Sequence, residues 1–176
     1  MSKSCVFAKT EIFSALGILD REYKKVYKKS TVRNIRLMKA YSKMAIVASG
    51  GWVEDGIKNL SEISISKLSE PRTQKKLVDI IDKIHGFSYS SHFSRGVINT
   101  FGAHGFEFIE AEVGDADIAR LSSTLGKLKA WRDTAAHSYV TTIPCDPSTV
   151  ISEMKTIFPI LKKVEASARL YRKNHF

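Results

Sequence analysis

Cysteine, proline and acidic residues are all scarce in this chain of 176 residues, and each shortage excludes something. Two cysteines, Cys5 and Cys145, are too few for a disulfide framework and show no metal-site spacing. Four prolines and ten glycines leave long stretches uninterrupted, with no internal repeat and no low-complexity segment. The longest run of apolar and small residues, Met44 to Val53, is bounded by Lys43 and Glu54 and falls well short of a bilayer crossing. No membrane partner is therefore expected. The opening MSKSCVFAKTEIF lacks the apolar stretch of a secretion signal, so a cytoplasmic location is expected. Eighteen Asp+Glu stand against 28 Lys+Arg, a net charge of +10. An excess of that size points to a polyanion, and nucleic acid is the commonest one.

What is present is enough apolar material, 43% of residues, for one folded domain spanning 1–176. The apolar residues recur at helical intervals. A first helix is expected from Thr10 as N-cap, with the stripe Ile12, Leu16, Leu19, Tyr23 and Val26. A long second helix, about Val32 to Leu68, should turn Ile35, Met38, Tyr41, Ala45, Ala48 and Trp52 inward, with Gly50-Gly51 allowing close backbone approach. Pro71 opens a third helix carrying Leu77, Ile80, Ile81 and Ile84. Residues 85–114 are dominated by glycine, serine and aromatics, and read as an irregular excursion with a short helix around Arg95 to Phe101. A motif helix is expected over 115–139, and a last helix after Asp146-Pro147 with the stripe Val150, Met154, Ile157, Leu161, Val164, Ala168 and Tyr171. The expected architecture is all-α, an up-and-down bundle of four to five helices with an irregular insertion before the motif helix.

The stripe of the motif helix is Ile118, Leu121, Leu125 and Leu128, and its next positions are Arg132, Ala135 and Tyr139. An arginine thus stands where the pattern asks for leucine. Burying an unpaired guanidinium costs several kcal/mol, so this face must meet a carboxylate within the bundle, a second protomer or an anionic ligand. His137 follows five residues later, about 140° round and about 7.5 Å along an ideal helix. Either the helix ends near His137, or each copy supplies groups to a cleft shared with a partner. A two-fold pairing of this face would gather arginines and histidines, an arrangement that favours an anion between them.

The run Arg132-Asp133-Thr134-Ala135-Ala136-His137 resembles the signature of the HEPN domain, the higher-eukaryote and prokaryote nucleotide-binding superfamily. Its hallmark is an arginine, four to six residues, then a histidine, often with Asn or Asp directly after the arginine. Asp133 fits that slot, and Tyr139 matches the longer form, Arg-four residues-His-any-Tyr, of the HEPN toxin paired with a minimal nucleotidyltransferase antitoxin. The segment Trp52-Val53-Glu54 on a long second helix resembles larger defence-associated branches of the family. The resemblance implies a homodimeric, metal-independent endoribonuclease with the site between protomers, a role as toxin or in antiviral defence, and a tyrosine open to modification by such an antitoxin. No cofactor and no metal ligand is implied.

The chemistry suits the residues. RNA carries its own nucleophile, the 2′-hydroxyl. His137 suits proton transfer at the 2′- or the departing 5′-oxygen, since its ordinary pKa is near neutrality. Arg132 suits a bidentate hold on the scissile phosphate. Asp133 would orient either group, Tyr139 would donate to a phosphate, and Glu54 is a candidate supporting residue behind Arg132. The bland alternatives are an Arg132–Glu54 ion pair, a helix-terminal His137, a packed Tyr139 and a solvated Asp133. On those, the same fold is a non-catalytic module for RNA, nucleotide or protein binding and dimerisation. Arg169 and His175 also meet the loose spacing, in a charged C-terminal stretch with no bundle expected behind it. His85, His92 and His104 are too irregularly spaced to predict a metal site. The basic tracts Lys24, Lys25, Lys28, Lys29, Arg33 and Arg36, and Lys162, Lys163, Arg169, Arg172 and Lys173, lie mostly off the apolar stripes and read first as solvated faces.

Overall fold

A computed structural model of the protein describes residues 6–28, 31–66, 68–137 and 145–175, the His137 side chain excepted. Six α-helices follow one another: α1 Lys9–Tyr27, α2 Val32–Ile65, α3 Pro71–Asp82, α4 Ser94–Val113, α5 Asp115–His137 and α6 Pro147–His175. The described residues contain no strand, and the fold is an all-α bundle. The long α2 is its axis, touching each of the other five helices. α6 closes the core against α1, α2, α4 and α5.

Helix α6 is the plainest case of sequence dictating structure. The Asp146 carboxylate accepts the Thr149 N–H at 2.8 Å, Pro147 takes the first turn, and all seven expected stripe residues are buried. In α3 the Glu70 carboxylate accepts the N–H groups of Arg72 and Thr73 ahead of Pro71. Ile81 is buried in α3, Ile84 is buried just beyond its end at Asp82 rather than on it, and Ile80 is 46% exposed rather than inward.

Elsewhere tertiary contacts overrule local signals. α1 begins at Lys9 with no side-chain cap, not with Thr10 as cap. Its entry is fixed instead by the fully buried Phe7 and by Trp52, whose Nε1–H donates to the Ala8 carbonyl at 3.2 Å. α2 stops at Ile65, and near its end the Ile63 carbonyl accepts a hydrogen bond from Arg172 of α6. Its inward face is Ser42, Ala45, Ile46, Ser49, Val53, Ile57, Leu60 and Ser64, so the expected stripe is shifted and Ile35 is 48% exposed. Buried serines disguise the true stripe. Ser61 shows how they are tolerated, its hydroxyl returning to the Ile57 carbonyl at 3.5 Å.

Residues 85–114 correct the reading of an irregular insertion. They hold a π-helical turn, Tyr89–Phe93, and the whole of α4, a full partner of α2 and α6 rather than a short helix around Arg95. Its buried row, continuing from Phe93 of the π-helical turn, is Val97, Phe101, Ile109 and Val113, and a break at Gly102 (φ 75°) interrupts it. The glycines that read as loop permit close packing. A Cβ on Gly105 would lie 2.9 Å from the Tyr171 ring and one on Gly96 3.2 Å from Ile57. Among the described residues the α-helices therefore number six, not four to five.

Candidate active site

Helix α5 carries its stripe as expected, with Leu121, Leu125 and Leu128 buried and Ala135 buried one turn beyond Arg132. The Arg132 side chain is 28% exposed. It lies over the face of Phe87, its guanidinium carbon 4.9 Å from the ring centroid, a contact worth about 0.5–2 kcal/mol. Phe87 is fully buried and belongs to the chain between α3 and the π-helical turn. Gly50 of α2 makes the seat possible. A Cβ there would stand 2.8 Å from the Phe87 ring and 3.3 Å from Cδ of Arg132.

The polar end of Arg132 meets two carboxylates at long range. Nη1 is 3.4 Å from Glu54 Oε2, and Nη2 is 3.5 Å from Asp133 Oδ1. Charge-assisted pairs ordinarily close to about 2.7–2.9 Å, and the strongest arginine–carboxylate pairs are forked. Neither holds here. Glu54 is shared with Lys58 at 4.0 Å, and Asp133 accepts a shorter bond from Lys129. The Lys129 bond, ahead of the charges of Lys129 and Arg132, holds the Asp133 carboxyl below the usual carboxylate range. Of the three ways to satisfy Arg132, the in-bundle carboxylate is thus present but leaves most of the five guanidinium donors without a partner among the described residues.

A further imidazole, not anticipated from the motif, belongs to these surroundings. His92, on the π-helical turn, has Nδ1 2.6 Å from the Ser88 hydroxyl. Gly86 (φ 120°) fits against its ring, where a Cβ would come within 2.8 Å of Nε2. Burial lowers the His92 pKa; Glu54 opposes that shift, while Lys129 and Arg132 add to it. The imidazole is therefore neutral near pH 7 and within the field of the Arg132 group. One signal in the sequence was available, since no acidic residue occurs between Asp82 and Glu107.

The other expected site residues divide as follows. Arg132, Asp133 and Glu54 are brought together. His137 is the last residue of α5, but its side chain and the whole of Tyr139 lie outside the described residues. Among the described residues no three His, Cys, Asp or Glu side chains converge to hold a metal ion. His104 faces Tyr171, its Nδ1 3.4 Å from the phenol oxygen, well away from any partnership with His92. Arg169 and His175 do not lie in a stretch without a bundle behind it: both belong to α6, where Arg169 binds the buried Glu165 and His175 stacks on Tyr171.

No family model, no curated protein and no solved structure matches this chain. Among the described residues no helix is long and apolar enough to cross a membrane.

Proposed function

We propose that this protein is a metal-independent endoribonuclease of the HEPN kind, cleaving RNA by attack of its 2′-hydroxyl on the adjacent phosphate. One observation carries the reading: the Arg132 guanidinium rests on Phe87 at the end of a buried stripe, touching carboxylates only at 3.4 and 3.5 Å. A phosphate offers this fork closer, paired acceptors than Glu54 or Asp133 do. In the proposed reaction the 2′-oxygen bonds to phosphorus as the bond to the 5′-oxygen breaks. His137 moves a proton at one of these two oxygens, and Arg132 stabilises charge growing on the phosphate. The products are a 2′,3′-cyclic phosphate and a 5′-hydroxyl. Asp133 orients Arg132, with which it is already in contact. A homodimer with the site between copies, a nucleotidyltransferase-type antitoxin acting on Tyr139, a toxin or antiviral-defence role and a cytoplasmic location belong to the same proposal.

The Arg132–Glu54 contact favours a second reading, a non-catalytic module that binds RNA, nucleotide or protein and uses this face to dimerise. Bulk RNA incubated in EDTA with the parent, Arg132→Ala and His137→Ala separates the two. The nuclease reading expects cyclic-phosphate ends from the parent and at least about a hundredfold fewer from either variant. Cleavage surviving in both variants, or appearing only with added metal, removes the mechanism. Binding without cleavage by the parent favours the module.

A further inference from the structure

Beside the Arg132 group lies a cleft of about 390 Å³ between α3 and the start of α4. Its walls include Lys83, His85, Ser91, His92 and Arg95, with Ile80 as an apolar ledge, and no carboxylate is among the lining residues. Lys83 and Arg95 are exposed, and neither has an ion-pair partner among the described residues. Asp82, the nearest acid in sequence, instead lines a separate cleft of about 370 Å³ together with Asp55, Glu62 and Lys58. The same short segment builds both the basic cleft and the Arg132 seat. Phe87 lies under the guanidinium, while His85 and His92 line the cleft.

We infer that this cleft is a subsite for single-stranded RNA, taking a phosphate next to the one held at Arg132. The inference rests on the endoribonuclease reading and extends it by naming where the strand lies. Two cations and a serine hydroxyl supply donors suited to an anion with several acceptor oxygens. Ile80, 46% exposed at the rim, gives a sugar or base an apolar surface to lie on. The cleft volume falls in the range of small-molecule sites and suits one nucleotide unit of a strand rather than the width of a duplex.

The test measures binding of a fluorescein-labelled, fully 2′-O-methylated single-stranded RNA, which cannot be cleaved, by anisotropy over a salt series. Lys83→Glu/Arg95→Glu is compared with Lys155→Glu/Lys173→Glu, an equal charge change on exposed α6 positions. Lys83→Gln/Arg95→Gln serves as a milder variant, and circular dichroism checks folding of all three. The inference expects the cleft reversal to weaken binding by about tenfold or more. It also expects the salt slope to fall by about 1.4, two phosphate contacts at about 0.7 each. The α6 reversal should weaken binding less than about threefold, and the Gln pair should fall between. Equal weakening by both reversals, or an unchanged slope, overturns it. Cleavage by Arg132→Ala is scored separately. If that cleavage persists while the cleft variants lose binding, the nuclease mechanism falls and the subsite stands. If Arg132→Ala is dead and the cleft variants bind normally, the reverse holds.

Discussion

Two arginines in this chain are each followed by a histidine at similar spacing, and the fold treats them in opposite ways. Arg169 sends Nη2 to Glu165 at 2.8 Å and Nε to the same oxygen at 3.1 Å. That carboxylate is 5% exposed and also receives Lys162 and the Val6 N–H, so Arg169 helps pin the N-terminal segment to α6. Arg132 has an aromatic floor and only long polar contacts. The spacing alone does not distinguish them. What differs is the closeness of the pairing, 2.8 and 3.1 Å at Arg169 against 3.4 and 3.5 Å at Arg132.

The sharpest way to break this comparison is to truncate both. Arg132→Ala should lower kcat/KM for RNA by about 10²–10³-fold, the cost of losing a charge-stabilising donor, while stability falls by no more than the about 0.5–2 kcal/mol of its aromatic contact. Arg169→Ala should do the opposite, losing about 1.5–3 kcal/mol of stability in denaturant titrations because a charged hydrogen bond to a buried carboxylate is broken. Its cleavage per folded molecule should match the parent.

The adjacent glycines of α2 sharpen the same contrast from below. Gly50→Ala must displace the Phe87 ring, since the new Cβ would sit 2.8 Å from it, and should cost about 1–2 kcal/mol along with part of the cleavage. Gly51→Ala meets open space and should stabilise the helix by up to about 1 kcal/mol. Thermal melts of the two variants, displaced in opposite directions, check this.

Smaller effects follow from the acids. Glu54→Gln removes the negative charge facing Arg132 and should tighten binding of uncleavable RNA by roughly two- to fivefold at low salt. Glu165 differs. Burial raises its pKa, but hydrogen bonds from Lys162, Arg169 and Val6 outweigh burial and hold it below the ordinary 4.5. The unfolded chain therefore takes up the proton first, so this stabilisation is complete above pH 4.5 and drains away as the pH falls through the depressed value. Denaturant titrations between pH 6 and 3 should show a flatter acid-side loss for Glu165→Gln than for the parent.

The readable and unreadable parts of the sequence separate for physical reasons. α6 and the leucines of α5 were legible because a single apolar stripe meets a single core, and Asp146-Pro147 announces the start. α2 misled because its buried face mixes serine with aliphatics; the Ser61 hydroxyl returns to the helix itself, whereas that of Ser49 is buried without a partner among the described residues. α4 was hidden by Gly96, Gly102 and Gly105. Two of these admit Ile57 and Tyr171 at close range, and only Gly102 breaks the helix. The grouping of Arg132 with Asp133 and Glu54 was legible from stripe position and sequence adjacency. Phe87 and His92 were not, because their relation to Arg132 arises from the chain between α3 and α4, whose return to α5 no local pattern records.

The most direct test exchanges each guanidinium for an ammonium. Lysine keeps the charge but lacks the planar fork. The cleavage rate of one single-stranded RNA oligonucleotide, measured in parallel for Arg132→Lys and Arg169→Lys, decides the matter. Expected are a loss of about tenfold or more for Arg132→Lys and a rate near the parent's for Arg169→Lys. Full activity in Arg132→Lys, or equal losses in both, would contradict the proposed role of Arg132.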